Sequence, residues 1–259
     1  MATKIAFYNR KGGTGKTTST INVAGELAQR GYSVLIVDTD PQANASSNIG
    51  RGEGIKLSLS DVLLGDADVN DVIINTAIDN IDILPATLSL QDVEIKIMSS
   101  YIRTNNHLSK CMKNVTKEYD FILIDCSPNM GIMTVNALSY ADYILIPTKT
   151  DKNSIEGFKK SIDTVKAIKA EWNAELEFLG VFLTVFEKVT LVDQKIYEDC
   201  KSQYGDLFID VVIRKNTAVR EAPFCNMPVN NYDKSSAGAK DYKALTDEIL
   251  RLLEVRKNG

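Results

Sequence analysis

The chain is poor in the residues that most often carry chemistry by themselves. His107 is its single histidine in 259 residues. It stands in the polar stretch RTNNHLSK, which reads as surface, so a histidine base is not expected. The four cysteines, Cys111, Cys126, Cys200 and Cys225, form no C-x-x-C pair. Zinc and iron–sulfur spacings are therefore missing, and the thiols read as packed or idle. No apolar run approaches the roughly 18 residues that span a bilayer. The opening MATKIAFYN lacks the basic-then-apolar build of an export signal, so a cytoplasmic place is expected. An excess of positive charge is missing too. Thirty Lys and Arg face 34 Asp and Glu, for a net charge of -4. That excludes a bulk basic field for nucleic acid, and DNA contact would need a local patch.

What the chain does have is a series of short apolar runs. They are IAFY (5–8), SVLIVD (33–38), IDILPA (81–86), FILIDCSP (121–128), YILIPT (143–148), FLGVFLTVF (178–186) and LFIDVVI (207–213). Continuous β-branched runs suit strands buried on both faces, as in parallel sheets. Helical patterns lie between them. One runs from Lys16 to about Arg30 and another over 190–203. A third, capped by Asn153 or Ser154, aligns Ile155, Phe158, Ile162, Val165 and Ile168. The last starts near Ala239 and aligns Tyr242, Leu245, Ile249 and Leu252. Residues 88–118 read as helical with open boundaries. The expected fold is α/β: one doubly wound domain over 1–259. Its sheet is mostly parallel, with seven or eight strands and helices on both faces.

The segment after the first run reads YNRKGGTGKTT. Gly15, Lys16 and Thr17 end the phosphate-loop pattern G-x-x-x-x-G-K-[ST], but position 10 is Arg10 where that pattern has glycine. The context is strand, glycine-rich turn, helix. Such a turn aims backbone N–H groups at phosphate oxygens, and the helix adds its positive end. Gly12, Gly13, Thr14, Gly15, Lys16, Thr17 and Thr18 are the expected phosphate contacts. Lys16 reaches the β- and γ-phosphates, and the Thr17 hydroxyl meets Mg²⁺. FILID ends in Asp125, placed to hold the magnesium shell through water. SVLIVDTDPQ ends in Asp38 and Asp40, which face one side if the strand continues. Asp40 beside a γ-phosphate would orient the attacking water.

KGGTGKTT, VDTDPQ and FILIDCSP together closely resemble the deviant Walker A ATPases of the ParA/Soj/MinD superfamily, ParA/Soj-type partition ATPases most of all. The likeness extends to TVNAL (134–138), the IPT turn before Glu156-Gly157, and EAPF…PV…YDKSSAGAKDY (221–242). It implies a P-loop NTPase of SIMIBI type that binds ATP and Mg²⁺. It also implies an ATP-dependent homodimer in which Lys11, the extra lysine of the loop, touches the partner's phosphates. Asp40 then falls at the position that serves water activation and metal binding. Hydrolysis is weak alone and stimulated by a ParB-type partner. The ATP-bound dimer coats double-stranded DNA without sequence preference, which implies nucleoid association.

By the same resemblance, adenine lies near Thr184, Ile213 and Arg214, and DNA meets Arg214, Lys215 and Arg220. This last region departs from type. Soj-like chains often read IPRNVRLSEAP where this one reads IRKNTAVREAP, with Arg214 in the proline's place and Ala218 where an arginine is common. The alternatives are a MinD-like ATPase at a membrane or on a protein complex, and a reductase or amidoligase on the same scaffold. The first needs an amphipathic C-terminal helix, and DEILRLLEVRKNG carries acids among its bases. The reductase needs paired interface cysteines, and Cys126 has no second partner in sequence. With the first run starting near residue 4, no helix-turn-helix extension is expected.

Overall fold

A computed structural model describes residues 2–50, 54–99 and 105–258. The side chains of Asn153, Ser154, Ile155, Glu156 and Gly157, and with them the expected cap, lie outside the described residues.

Among the described residues the strands are β1 (Thr3–Phe7), β2 (Val34–Asp38), β3 (Ile74–Asn75), β4 (Ile81–Leu84), β5 (Phe121–Asp125), β6 (Tyr143–Lys149), β7 (Glu177–Phe186) and β8 (Phe208–Arg214). They form one sheet in the order β3-β4-β2-β5-β1-β6-β7-β8. Every pairing is parallel except β3 with β4. The seven apolar runs are the seven parallel strands. β3 is the one the runs do not signal, being two residues at an edge.

The sheet is mostly apolar because both of its faces are covered, with Asp82 and Asp210 as charged exceptions inside β4 and β8. Ile5 and Phe7 of β1 enter one core, while Ala6 and the following Tyr8 enter the other. Helices Lys16–Gln29, Asn44–Ile49, Thr217–Glu221, Val229–Tyr232 and Ala237–Asn258 pack on the first face. Helices Leu59–Leu64, Val69–Val72, Leu90–Ser99, His107–Met112, Ile132–Tyr140, Lys152–Glu171 and Leu191–Tyr204 pack on the second. Each fully buried Ile, Leu or Phe contributes about 1.5–3 kcal/mol to holding these layers together.

Three details correct the sequence reading. Among the described residues, the stretch 88–118 holds the helices Leu90–Ser99 and His107–Met112. On the last helix Tyr242, Leu245 and Ile249 are buried as expected, but Leu253 completes the stripe in place of Leu252. His107 is half-buried; its Nε2 has no partner, and burial lowers its pKa.

All parallel strands point their carboxyl ends the same way. β1, β2 and β5 end level, with Phe7 beside Asp125 and Asp38 beside Asp125. In such sheets ligands bind at that edge.

Candidate functional site

The loop Asn9–Gly15 leaves β1 at that edge. Its shape is fixed from three sides. The buried Asn9 amide donates to the Pro147 carbonyl at 2.9 Å, and its Oδ1 accepts from the Lys11 N–H at 3.0 Å. The Arg10 N–H donates to Ser161 Oγ at 3.0 Å. Thr184 Oγ1, from β7, donates to the Thr14 carbonyl at 2.8 Å. Gly13 and Gly15 have φ of 70° and 91°, the left-handed region that favours glycine. A Cβ on Gly15 would also press Thr184 Cγ2 at 3.4 Å.

The first helix starts at Lys16 with no side-chain cap and no acid in its first turn. Its leading N–H groups are left to an outside acceptor, and its dipole favours an anion there. Two lysines part company at this point. Lys16 is buried, and its ammonium reaches back to the Lys11 carbonyl at 3.3 Å. Burial lowers its pKa, against the pull of Asp125. Lys11 turns the other way and pairs with Asp151 at 2.5 Å.

Asp38 and Asp125 sit side by side, both fully buried. Asp38 accepts from Ser46 N at 2.9 Å, Ser46 Oγ at 2.7 Å and Asp40 N at 3.1 Å. Burial still pushes its pKa up to about 6, with those hydrogen bonds opposing. Neither Asp125 oxygen has a hydrogen bond of ordinary length among the described residues; the Thr17 hydroxyl is its near neighbour. Burial holds it well above the usual carboxylate range, and the Asp38 charge adds to that. The strand ends at Asp38, and the chain turns there, with Asp40 N–H donating to Asp38 Oδ1. Asp38 is a bracket under the turn, and Asp40 is the one that meets the cleft. Asp40 Oδ1 accepts from Gln42 N at 3.0 Å, and Oδ2 has no partner among the described residues.

One cleft of about 670 Å³ runs along this edge. Gly12, Gly13, Gly15, Lys16, Thr17, Thr18 and Asp40 border one half; Thr184, Ile213, Arg214, Lys215 and Arg220 border the other. The sequence-predicted residues outside its lining are Lys11, Thr14 and Asp125. Lys11 is drawn to Asp151, Thr14 is buried beneath the loop, and Asp125 lies on the floor strand. The far half is held by side chains. Arg214 Nε donates to Asp241 Oδ2 at 2.9 Å and Nη2 to Oδ1 at 2.6 Å; its backbone N–H also binds Asp241 at 2.9 Å. Lys215 pairs with Glu187 at 3.1 Å. Val185 has φ of 56°, an outlier for a β-branched residue, where the β7–β8 register slips between Thr184 and Phe186.

Four of these residues were not foreseen from the sequence: Asp151, Asp241, Val185 and Lys149. Lys149, at the end of β6, borders the cleft beside the loop. The apolar run 143–148 stops one residue short of it. A charged residue directly after such a run was the signal that found Asp125, and it would have found Lys149.

The family model described as an AAA domain matches residues 2–178. The chain is 36% identical over 250 residues to the chromosome-partitioning ATPase Soj of Treponema pallidum, covering 96% of this chain and 98% of that one. It is 34% identical over 249 residues to the chromosome partitioning protein ParA of Caulobacter vibrioides, covering 95% and 93%. Among solved structures, the septum site-determining protein MinD of Pyrococcus horikoshii, complexed with Mg-ADP, superposes with a TM-score of 0.79. It is 28% identical and covers 98% of each chain.

Proposed function

The chain belongs to the Soj/ParA family of chromosome-partitioning ATPases, and from that membership we propose that it is a partition ATPase, an ATP-driven dimerisation switch acting on DNA. The observation that carries the reading is Asp125. A fully buried carboxylate with no hydrogen bond of ordinary length among the described residues, beside the Thr17 hydroxyl and the phosphate-loop strand, fits a site that a cation and its phosphates complete.

In this reading the N–H groups of Gly12–Thr18 and the Lys16 ammonium hold the phosphates of ATP. Thr17 and Asp125 would hold Mg²⁺, with Asp40 near its shell, and the ion would supply neutralising charge to the phosphates. Asp40, with one oxygen already fixed by Gln42 N–H, orients the water with the other. The base lies toward Thr184, Ile213 and Arg214. Lys11 serves the phosphates of a second copy, and breaking its pair with Asp151 belongs to dimer formation. That pair is half-exposed, so opening it costs little. Lys11 and Lys16 together place positive charge on the transferring phosphoryl group.

DNA binding requires only phosphate neutralisation, and Arg220 and Lys215 are exposed for it. Lys215 has to leave Glu187, an exposed pair of small worth. Arg214 is tied to Asp241 and contributes less. A ParB-type partner accelerates hydrolysis, and the dimer associates with the nucleoid. The membrane alternative draws no support from the last helix, whose stripe Tyr242, Leu245, Ile249 and Leu253 is buried.

Sedimentation with ATP, ADP or no nucleotide tests the switch, and a gel shift with random duplex at two salt concentrations tests the DNA step. ATP should give a dimer and a salt-sensitive shift; Lys11→Ala should give neither while still binding ATP. An ATP-dependent dimer in Lys11→Ala would overturn the crossing lysine.

A further inference from the structure

β6 runs beside β1 with Leu145 opposite Phe7, then continues past the end of β1 alongside the loop. Its last residue, Lys149, pairs in register with Thr184, the residue whose hydroxyl holds the Thr14 carbonyl. The side chain is half-buried and borders the cleft. Its ammonium stands over Gly13: a Cβ placed on that glycine would lie 3.7 Å from Lys149 Nζ. Gly13 is at the left-handed turn of the loop.

The three lysines at this loop differ in what they already hold. Lys11 is paired with Asp151, and Lys16 donates to the Lys11 carbonyl. The Lys149 ammonium has no hydrogen bond and no ion pair among the described residues. A half-buried ammonium with no counter-charge, facing a turn of backbone N–H groups and near two other cations, lacks an anion. Lysine is a compact charge with three rotatable donors, suited to phosphate oxygens.

We propose that Lys149 is a phosphate-binding residue, contacting the terminal phosphates of the nucleotide held by its own subunit. The proposal rests on the reading of the cleft as an ATP site. It adds a division of labour at one strand end. Asp151 draws Lys11 away from its own loop, toward use by a second copy, and Lys149 supplies a cation to that loop in cis.

Calorimetric titration with ATP and with AMP, in Mg²⁺, tests it on the intact chain. Lys149→Met, which keeps most of the stem and removes the charge, should weaken ATP binding about ten- to a hundredfold, the worth of a hydrogen bond to a charged group. AMP, which lacks the terminal phosphates, should bind as it does to the wild type. Lys149→Arg should retain most of the ATP affinity. An ATP affinity in Lys149→Met within about twofold of wild type overturns the proposal. Equal losses for ATP and AMP, or equal losses in the Met and Arg variants, overturn it as well, because they report shape rather than charge. A wild-type protein that binds no ATP sinks the reading of the cleft itself. That outcome is separate from the others and is read first.

Discussion

The two halves of the cleft are built on opposite principles. The half proposed for the phosphates is framed by backbone, with lysine side chains added to it. Its shape comes from consecutive residues, Asn9 to Thr18, and its positive end belongs to the helix that those residues start. The other half, where we propose the base lies, is side chains from distant segments. Arg214 reaches Asp241, and Gly238 packs so close that a Cβ there would lie 2.3 Å from Val219 Cγ2. Backbone sites accept any ligand with the right charge; side-chain sites choose among ligands. The phosphate half should therefore set how tightly a nucleotide binds, and the base half which nucleotide it is.

Lys16→Ala is the largest expected break. It removes a buried cation from the phosphate half, and ATP and GTP should both lose about a hundredfold or more in affinity. Equal binding by wild type and variant in a fluorescence titration would put the binding energy elsewhere. Asp241→Ala acts on the other half. It releases both the Arg214 guanidinium and its backbone N–H. The loss is about 1–2 kcal/mol of stability, discounted because Arg214 is half-exposed. The comparison predicts that the preference for ATP over GTP shrinks while triphosphate binding survives. If discrimination is unchanged and overall affinity falls, the two halves do not divide the work.

The smallest effect is one of pH, and it belongs to the phosphate half. Folding pushes Asp38 up to about 6, whereas an unfolded aspartate titrates near 3.9. The folded state thus holds a proton that the unfolded chain releases between about pH 4 and pH 6. Stability from this source is full below the unfolded value and is lost as pH rises through the folded one. Between pH 5 and 7 the nucleotide-free protein should lose about 1.5 kcal/mol through Asp38, read as a falling thermal midpoint. Asp38→Asn should be less stable throughout, having lost acceptors for Ser46, but its midpoint should fall less steeply across that range. Parallel curves would show that Asp38 is not the group titrating.

The same contrast explains what the sequence makes legible. Seven strands could be read from apolar runs because burial on both faces leaves few polar residues to break them; Asp82 and Asp210 are single interruptions. β3 could not, since Ile74–Asn75 is too short to carry a pattern. Gly13, Gly15, Lys16 and Thr17 were legible because their spacing is the structure. Thr184, Ile213 and Arg214 were reached only through resemblance, for nothing local ties residue 214 to residue 241. Asp38 shows where local reasoning went astray. Period-2 geometry held only if the strand went on, and the chain instead turns at once to hydrogen-bond its own aspartate.

That turn has a consequence for chain length. Asp38 holds Ser46 through both backbone and hydroxyl, and the same hydroxyl accepts the Ala86 N–H at 2.9 Å. Next to Ala86, the Pro85 carbonyl takes the Leu59 N–H at 2.7 Å. The interval from 38 to 46 is thereby a measured span, staked at both ends, with Asp40 at a fixed point along it. Surface loops ordinarily tolerate an added residue, but this one has no slack to absorb it. One insertion here would shift Asp40 along the cleft or pull Ser46 from its stake. Related chains that work by the same geometry should keep this interval at constant length while their outer loops vary.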